Sequence, residues 1–321
     1  MTAGLLRGRR IVMVPVVVLV ELLVIATAPL TLAIAAVVGA LTRSSRPVRS
    51  VAVVVAYAVI ELWTLQRLRD DSVDGDELAR DVLDRGYRAL ERILDVQVVL
   101  EDGSASTDRL QQSRGLIVLS RHCGPGDSLF VAWLLAVHHR LALRVVLKSA
   151  LRWEPVVDAG AHVLPLCFVS SGGDGAREGV RTTASALRPG EALLLFPEGG
   201  NFSWQRWREA IAHLTRRGEH RWARRARRRT HTLPPRPGGA VAALAAAPQA
   251  DVLLIAHSGL AKDGRDRPWW RLPVHQQLVV RTMLVPADEV PRDDEPAREF
   301  LDEAWSRVDT WVESHAALRT G

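Results

Sequence analysis

Residues 116–127 read Leu-Ile-Val-Leu-Ser-Arg-His-Cys-Gly-Pro-Gly-Asp, a short apolar run followed at once by a turn that carries a histidine and a carboxylate. A run of about four to eight apolar residues bounded by turn residues is typical of a strand buried on both faces. The same pattern recurs in the runs 96–100, 143–147, 163–169, 192–196 and 252–256. The repetition predicts a central sheet of buried strands.

Stretches with helical periodicity separate several of these strands. Residues 76–94 place apolar side chains on one helical face, and residues 130–139 continue the pattern after the 116–120 strand. A last helix is expected to begin near Pro296, with Phe300, Leu301 and Trp305 on its buried side. Alternating strands and helices predict an α/β fold with a mixed or largely parallel sheet flanked by helices.

The N-terminal part of the chain has a different character. The run from Ile11 to Leu41 contains no Lys or Arg and a single acid, Glu21, and about 20 such residues suffice to span a bilayer. A second run, residues 51–65, is shorter and carries Glu61. We therefore expect residues 1–70 to be a membrane-anchoring helical segment and residues 71–321 to be the α/β domain.

The arginines around these runs bear on how the segment meets the membrane. Arg43, Arg46 and Arg49 separate the two runs, and they would lie outside if both runs spanned, against the positive-inside rule. Proline breaks helices, so the first run is able to bend back on itself at Pro29. In such a hairpin both ends of the run lie on the same side of the membrane, and these arginines stay cytoplasmic. We favour such monotopic or hairpin anchoring at the cell membrane, with the α/β domain on the cytoplasmic side. A transmembrane pair is the alternative, and the first run is too long for a cleaved signal peptide.

Composition narrows the class of partner. The 321 residues include 42 Lys and Arg against 36 Asp and Glu, a net charge of +6. Such a balance favours anionic membranes, phosphates and acidic carrier proteins. With only Cys123 and Cys167, the chain has neither a disulfide framework nor a cysteine-built zinc site.

Two loops carry residues suited to chemistry. In the turn after residues 116–120, Gly124 and Gly126 allow the carboxylate of Asp127 to return toward His122. A carboxylate on one ring nitrogen fixes the tautomer and leaves the other nitrogen free to accept a proton. A loop histidine with a purely structural hydrogen bond is the alternative.

The second loop, Phe196-Pro197-Glu198-Gly199-Gly200-Asn201, follows the apolar run 192–196. Glu198 stands at the end of a strand, where open α/β sheets place their ligand sites. The two glycines permit close backbone approach and present amides to an anion. A simple strand-to-loop turn with a surface glutamate is the alternative.

Together, a His-x4-Asp after one strand and a Phe-Pro-Glu-Gly after a later one resemble the glycerolipid acyltransferase family, and more narrowly the lysophosphatidate (1-acylglycerol-3-phosphate) acyltransferases. Two further stretches are similar to family segments: residues 148–151, Lys-Ser-Ala-Leu, and residues 233–239, Leu-Pro-Pro-Arg-Pro-Gly-Gly, followed by an alanine-rich helix. The resemblance covers roughly residues 117–311.

The resemblance implies that His122 is the general base for a lysophospholipid hydroxyl that attacks an acyl thioester, and that Asp127 orients His122. Backbone amides of the 124–126 turn are candidates for the oxyanion donors. No metal or cofactor is expected, and acyl-CoA or acyl carrier protein supplies the acyl group. Substrate binding is implied for Lys148, Glu198, Gly199, Gly200, Asn201 and Arg236.

Two departures from the family pattern concern the acceptor. Ser170 and Ser171 stand where the family usually has an arginine, and Arg177 or Arg181 would have to replace it. Gly200 and Asn201 replace a usual Thr-Arg. Lysophosphatidate giving phosphatidate is the expected reaction. A different lipid or glycolipid acceptor, or a catalytically silent lipid-binding relative, is the alternative.

An arginine cluster stands out from the rest of the chain. Residues 216–229 contain eight arginines, with Trp204, Trp207 and Trp222 nearby. Arginine and tryptophan on helices suit an anionic membrane interface. The phosphates of coenzyme A, an acyl carrier protein and a merely solvated helix are alternatives, whereas nucleic acid is not an expected partner.

Overall fold

The computed structural model describes residues 3–70, 72–124, 126–149, 155–164, 166–169, 173–260 and 273–317. They form two compact units. One takes in the described residues of 1–96, 147–166 and 268–275, and the other those of 97–146, 167–267 and 276–321. The domain boundary expected near residue 70 stays a prediction.

The first unit is helical. It contains α1 (Ala3–Thr42), α2 (Arg46–Arg67), α3 (Gly75–Leu94) and the short α6 (Pro155–Ala159). Helix α1 runs through Pro29 without interruption, so the expected bend at this residue is wrong. Proline costs about 3 kcal/mol inside a helix, and the packing of α1 along α2 offsets that cost.

Two helices of this unit are long and apolar enough to cross a membrane, residues Met13–Thr42 and Arg46–Arg67. The second extends beyond the 51–65 run at both ends. Many of their apolar side chains point outward, including Leu19, Leu30 and Leu41. Length and composition are thus compatible with membrane association.

The second unit is organised around the sheet. The described residues form seven strands: β1 (Val96–Leu100), β2 (Leu116–Ser120), β3 (Ala142–Lys148), β4 (Leu166–Val169), β5 (Glu191–Leu195), β6 (Asp251–Ser258) and β7 (Gln276–Val285). Their order is β1-β7-β6-β2-β5-β3-β4. Strand β2 is parallel to both β5 and β6, β3 is parallel to β5, and β7 is antiparallel to β6. The expected α/β fold with a mixed, mostly parallel sheet is confirmed.

Two strands differ from expectation. Strand β4 begins at Leu166 rather than at residue 163, because residues 160–162 form a 3-10 helical turn. Strand β7 was not anticipated, since Arg281 and Thr282 interrupt its apolar run. Thr282 is buried in the fold, and its hydroxyl accepts the amide of Ala105 at 2.9 Å.

Helices cover the sheet. They are α4 (Thr107–Gln111), α5 (Asp127–Trp133), α7 (Asp174–Ser185), α8 (Trp204–Arg216), α9 (His220–Arg228), α10 (Pro237–Ala246) and α11 (Asp294–Ala317). A π-helical turn over residues 134–138 continues α5. The core joins Ile117 and Leu119 of β2 to Leu244 of α10 and Trp305 of α11. Each such fully buried side chain contributes about 1.5–3 kcal/mol.

The sheet order decides where the polar loops meet. Strands β5, β2 and β6 are parallel neighbours at the centre of the sheet. Their carboxyl ends therefore open at the same edge, where ligand sites of open α/β sheets lie. The loop after β2 carries His122, the loop after β5 carries Glu198, and the end of β6 carries His257.

Candidate active site

His122 and Asp127 form a direct pair. The ring Nδ1 of His122 lies 2.9 Å from Oδ1 and 2.9 Å from Oδ2 of Asp127, which is the first residue of α5. Gly126 reverses the chain just before it with a φ of +90°, a conformation that glycine adopts without strain. The turn chemistry read from the sequence therefore does bring the carboxylate back to the imidazole.

Asp127 is held as an ion despite its burial. Its side chain has 0% exposure, and its Oδ2 also accepts the amides of Cys123 at 2.6 Å and Gly124 at 3.2 Å. Burial by itself raises the pKa of Asp127. The hydrogen bond from His122, the two nearby imidazoles and the Cys123 amide outweigh burial, and the net pKa lies below the usual value.

The pair leaves one nitrogen of His122 for chemistry. Because an ionised carboxylate only accepts hydrogen bonds, Nδ1 carries the ring proton. The side chain is 25% exposed, and Nε2 has no hydrogen-bond partner in the described part of the chain. The ring packs against Phe196 at a centroid distance of 4.9 Å, which limits its rotation. Nε2 is thus positioned to accept a proton from a bound hydroxyl.

The same contacts correct one expectation about the turn. The Gly124 amide, a candidate oxyanion donor from the sequence, donates to Asp127 instead. The Asp127 carboxylate lies over the start of the turn and accepts hydrogen bonds from the amides of Cys123 and Gly124. Pro125 lies outside the described residues, and a prolyl nitrogen carries no N–H in any case.

Glu198 ties loops together rather than facing solvent. Its carboxylate is buried, with Oε1 accepting the amide of His122 at 3.4 Å and Oε2 accepting the amide of Leu233 at 3.1 Å. Burial raises the pKa of Glu198 to about 7, against the charge of Arg121 and the two amides, which lower it. Glu198 thereby links the loops after β2 and β5 to the segment before α10. Its implied role in holding the acceptor stays a prediction.

Arg121 and His257 are buried next to this site and hydrogen-bond to backbone carbonyls of the segments that form it. The buried guanidinium of Arg121 donates from Nη1 to the carbonyl of His257 at 2.7 Å and from Nη2 to the carbonyl of His231 at 2.8 Å. His257 Nε2 lies 2.9 Å from the carbonyl of Arg121, so this nitrogen is the donor. Burial lowers the pKa of His257 to about 4, which keeps the ring neutral.

Cys123, Asp127 and His257 also form a group with possible metal-ligand chemistry, since their ligand atoms lie within 4.8 Å of one another. Hydrogen bonds account for all three, since Asp127 accepts the backbone amide of Cys123 and the Cys123 side chain meets His257. His257 Nδ1 lies 3.5 Å from Cys123 Sγ, and burial raises the pKa of the thiol to about 12, so the sulfur keeps its proton. The expectation of no metal stays a prediction.

The glycine-rich loop is shaped by an arginine. Gly199 has a φ of +68°, and a Cβ added there would lie 3.1 Å from Nε of Arg236. Arg236 also donates its backbone N–H to the carbonyl of Pro197 at 2.8 Å. The loop and the segment before α10 are therefore packed together, with the Arg236 side chain exposed beside Gly199.

Asn201 and Gly200 complete this loop. Oδ1 of Asn201 is buried and has no hydrogen-bond partner among the described residues. The Asn201 carbonyl accepts from Nη1 of Arg206 at 3.2 Å, and the same Nη1 lies 2.9 Å from a Cβ added at Gly200. The loop thus lies against the exposed side chain of Arg206.

Arg177 and Arg181 differ in their surroundings. Arg177 on α7 lies against α10, with Nε 3.0 Å from a Cβ added at Gly238. The Arg177 side chain is exposed, and Gly238, which it contacts, stands two residues after Arg236 in the chain. Both arginines lie 3.7 Å from an acid of their own helix, Arg177 from Asp174 and Arg181 from Glu178, so these pairs do not distinguish them. Of the two proposed replacements for the family arginine, Arg177 is the one placed beside the segment that carries Arg236.

Some of the residues expected at the site lie outside the described part of the chain. Lys148 ends β3 by its backbone, but its side chain is not among the described ones. Ser170 and Ser171 also lie outside the described residues. The structure adds Arg121 and His257, which the sequence reasoning missed. A charged residue beside His122 and a lone histidine in the apolar β6 strand were the available signals.

A comparison with known protein families matches the segment that carries these residues. A family model described as Acyltransferase matches residues 104–256, a segment that includes His122, Asp127, Glu198 and Arg236. No curated protein matches the chain. The resemblance drawn from the two motifs is confirmed at the level of the family.

Proposed function

We propose that the chain transfers a fatty acyl group from a thioester to the hydroxyl of a lysophospholipid, and the match of residues 104–256 to the acyltransferase family model is the premise of this proposal. The match supports a general acyltransferase activity. The proposed acceptor is lysophosphatidate and the product phosphatidate. The proposed donor is acyl-CoA or an acyl carrier protein, and no cofactor takes part.

The His122–Asp127 pair carries this proposal. The acceptor hydroxyl gives its proton to Nε2 of His122 as its oxygen attacks the thioester carbonyl. The carbon–oxygen bond forms and the carbon–sulfur bond breaks, and the proton on His122 passes to the departing thiolate. Asp127 stabilises the imidazolium formed between these steps.

An acyl-enzyme intermediate is not part of the proposal. Cys123 is the nearest thiol, but it is buried, protonated and directed at His257. A thiol in that state is a poor nucleophile. Direct attack by the acceptor hydroxyl therefore fits the site better than transfer through Cys123.

The basic side chains beside the loop support an anionic acceptor. Arg236 lies against Gly199 and Arg177 lies against Gly238, and both guanidinium groups are exposed. Arginine binds phosphate oxygens in a bidentate manner. These two residues are our candidates for the acceptor phosphate in place of the missing family arginine.

One observation favours a second candidate acceptor. The buried Oδ1 of Asn201 has no hydrogen-bond partner among the described residues, and an amide oxygen accepts a hydrogen bond from a hydroxyl but does not bind a phosphate. An acceptor with additional hydroxyl groups, such as a glycolipid, would satisfy it. The same transfer chemistry at His122 would serve this acceptor.

Membrane attachment is part of the proposal. Helices α1 and α2 have the length and composition of membrane helices, which supports attachment of an enzyme with a lipid substrate. We propose the cytoplasmic side for the catalytic domain, where acyl thioesters and anionic leaflet lipids meet.

The test is an acyl-transfer assay on the full chain in detergent. Labelled acyl-CoA or acyl carrier protein is offered with lysophosphatidate, other lysophospholipids and glycolipids as acceptors. We expect product from lysophosphatidate, loss of product in His122→Ala, and normal rates in the matched variant His213→Ala, which alters an exposed histidine on α8. Product from a glycolipid alone would move the assignment to the second candidate. No product with any pair would contradict the enzymatic proposal.

A further inference from the structure

The arginine cluster of residues 216–229 is divided by the fold into two groups. Three of its arginines face acids of α11: Arg221 lies 2.8 Å from Glu299, and Arg225 and Arg229 lie 3.3 and 2.6 Å from Asp302. A fourth, Arg217, lies 3.1 Å from Glu219. Each of these four arginines is paired with an acid of the protein, and Arg225 and Arg229 share Asp302.

The other four cluster arginines remain open to solvent. They are Arg216, Arg224, Arg227 and Arg228, and in the part of the chain that the structure describes none of them has an ion pair. Arg208 on α8 is exposed in the same way. Helix α9 therefore presents one face to α11 and a second, uncompensated basic face to water.

Trp204 lies at the end of this basic region. It is 42% exposed, and among the described residues it is the one large hydrophobic side chain exposed to this degree outside α1 and α2. Trp207 Nε1 donates to the carbonyl of Arg229 at 2.6 Å, which places the last turn of α9 against the first turn of α8. Trp204, Arg208, Arg227 and Arg228 thus lie at the same end of the helical hairpin, and we call them the α8–α9 surface.

The indole of Trp204 is held rigidly. Its ring meets those of Phe202 and Trp207 edge-on, each at a centroid distance of 5.6 Å. Ile211, Ala223 and Ala226 form the small core that joins α8 to α9. A fixed, exposed tryptophan costs little conformational entropy when it enters an interface.

The α8–α9 surface is also close to the site along the backbone. The amide of Phe202 donates to the carbonyl of His122 at 3.2 Å, and Ser203 caps α8 by accepting the amide of Arg206. Trp204 therefore follows, by two residues, a backbone contact with the loop that carries His122. A partner that binds Trp204 therefore lies close to the loop that carries His122.

We propose that the α8–α9 surface binds the anionic head groups of a phospholipid bilayer, with Trp204 at the level of the head groups and Arg208, Arg227 and Arg228 on lipid phosphates. Tryptophan is enriched at membrane–water interfaces, and clustered arginines bind anionic leaflets. The inference rests on the proposed function, because a lipid acceptor must reach His122 from the bilayer. An exposed indole close to the loop that carries His122 favours a bilayer over a soluble acidic partner.

The experiment measures the environment of Trp204 and not overall vesicle binding. If α1 and α2 are membrane helices, they hold every variant on vesicles whatever the α8–α9 surface does. The full chain is reconstituted in vesicles containing brominated phosphatidylglycerol, and tryptophan emission is recorded for wild type and for Trp204→Phe. The difference isolates residue 204 among the ten tryptophans. We expect it to be quenched by brominated phosphatidylglycerol. The quenching should fall by more than half with brominated phosphatidylcholine alone, or in 1 M salt, where the screening length is about 3 Å.

Two triple variants separate specific contact from net charge. Arg208→Gln/Arg227→Gln/Arg228→Gln should lose more than half of the quenching. Arg109→Gln/Arg114→Gln/Arg188→Gln removes the same charge from exposed positions outside the surface and should retain it. Equal losses in both variants would overturn the proposal, because they would reduce the effect to net charge.

Activity measured in parallel keeps the two proposals apart. If Trp204 is quenched but no acyl transfer occurs, the lipid-binding surface stands and the proposed enzyme function fails. If acyl transfer occurs and Trp204 is unquenched, the proposed function stands and the surface does not meet lipid. A triple variant that slows transfer from an acyl carrier protein with quenching unchanged would assign the surface to that carrier and overturn the lipid proposal.

Discussion

Both oxygens of the Asp127 carboxylate lie 2.9 Å from Nδ1 of His122, and one of them also holds the amides of Cys123 and Gly124. The carboxylate therefore fixes the imidazole and the turn that carries it at the same time. A change at Asp127 should consequently affect both the protonation pattern of His122 and the stability of the loop.

Asp127→Asn tests the tautomer. An asparagine amide that donates to Nδ1 would place the ring proton on Nε2, where it blocks the base. We expect kcat to fall by roughly 10²–10⁴-fold, the range contributed by general-base catalysis, with the KM of the acceptor little changed. Steady-state kinetics with a parallel melting curve measures both effects. A variant with wild-type kcat would show that Asp127 does not set the tautomer.

Glu198→Gln tests the buried carboxylate through pH. The folded protein holds the Glu198 proton with a pKa of about 7 against 4.5 for the free side chain, so ionisation of Glu198 lowers stability as pH rises from about 4.5 to 7. Glutamine lacks this ionisation. The melting temperature of the variant relative to wild type should rise between pH 5 and pH 8.

Titration of His257 changes the stability of the wild type with pH in the opposite direction, so its effect must be separated from that of Glu198. Its pKa is about 4 in the fold against 6.5 in the free side chain, so its contribution is complete above pH 6.5 and is lost as pH falls toward 4. The difference between wild type and Glu198→Gln removes this shared effect. A difference that stays constant from pH 5 to pH 8 would mean that Glu198 does not titrate in this range.

Arg121→Met tests the support beneath the site. The variant leaves the carbonyls of His257 and His231 without their donor and removes the cation that favours ionised Glu198. Each buried carbonyl left without its donor costs about 1–3 kcal/mol, which a denaturant titration resolves. Adding Glu198→Gln to Arg121→Met should cost less than the sum of the single variants. Simple additivity would argue against coupling between the two side chains.

Gly199→Ala tests the loop that faces Arg236. A positive φ of +68° costs an alanine about 1–2 kcal/mol, and the new Cβ would lie 3.1 Å from the guanidinium. We expect reduced thermal stability together with a raised KM for an anionic acceptor. Arg236→Gln, which has no such strain, should raise that KM without the loss of stability. An unchanged KM in Arg236→Gln would exclude this arginine as an acceptor-phosphate ligand.

Chelation tests the group formed by Cys123, Asp127 and His257. If these side chains act as a hydrogen-bond chain, prolonged dialysis against EDTA should leave acyl transfer and melting temperature unchanged. A loss of either that is restored by a divalent metal would assign a metal to the group.

The sequence was sufficient for the features that depend on local pattern. Apolar runs bounded by turns located β1, β2, β3, β5 and β6, and the His-x4-Asp spacing with its flanking glycines brought Asp127 to His122. These features need few contacts beyond the neighbouring residues. Local pattern misjudged Pro29, where packing against α2 keeps α1 continuous, and it overlooked β7, whose polar residues are accommodated by partners distant in the chain.

Only the tertiary structure decided what surrounds the pair. The order β5-β2-β6 brings Glu198 and His257 to His122, and a one-dimensional pattern contains no information on which strands are neighbours. The burial of Glu198, its bonds to two distant amides and the support from Arg121 arise only when three loops converge. Likewise, eight arginines look equivalent in the sequence, and only the folded chain determines which of them pair with Glu219 or with the acids of α11 and which remain open to a partner. Local chemistry is written in residue order, whereas burial and charge pairing depend on contacts that exist only in the folded chain.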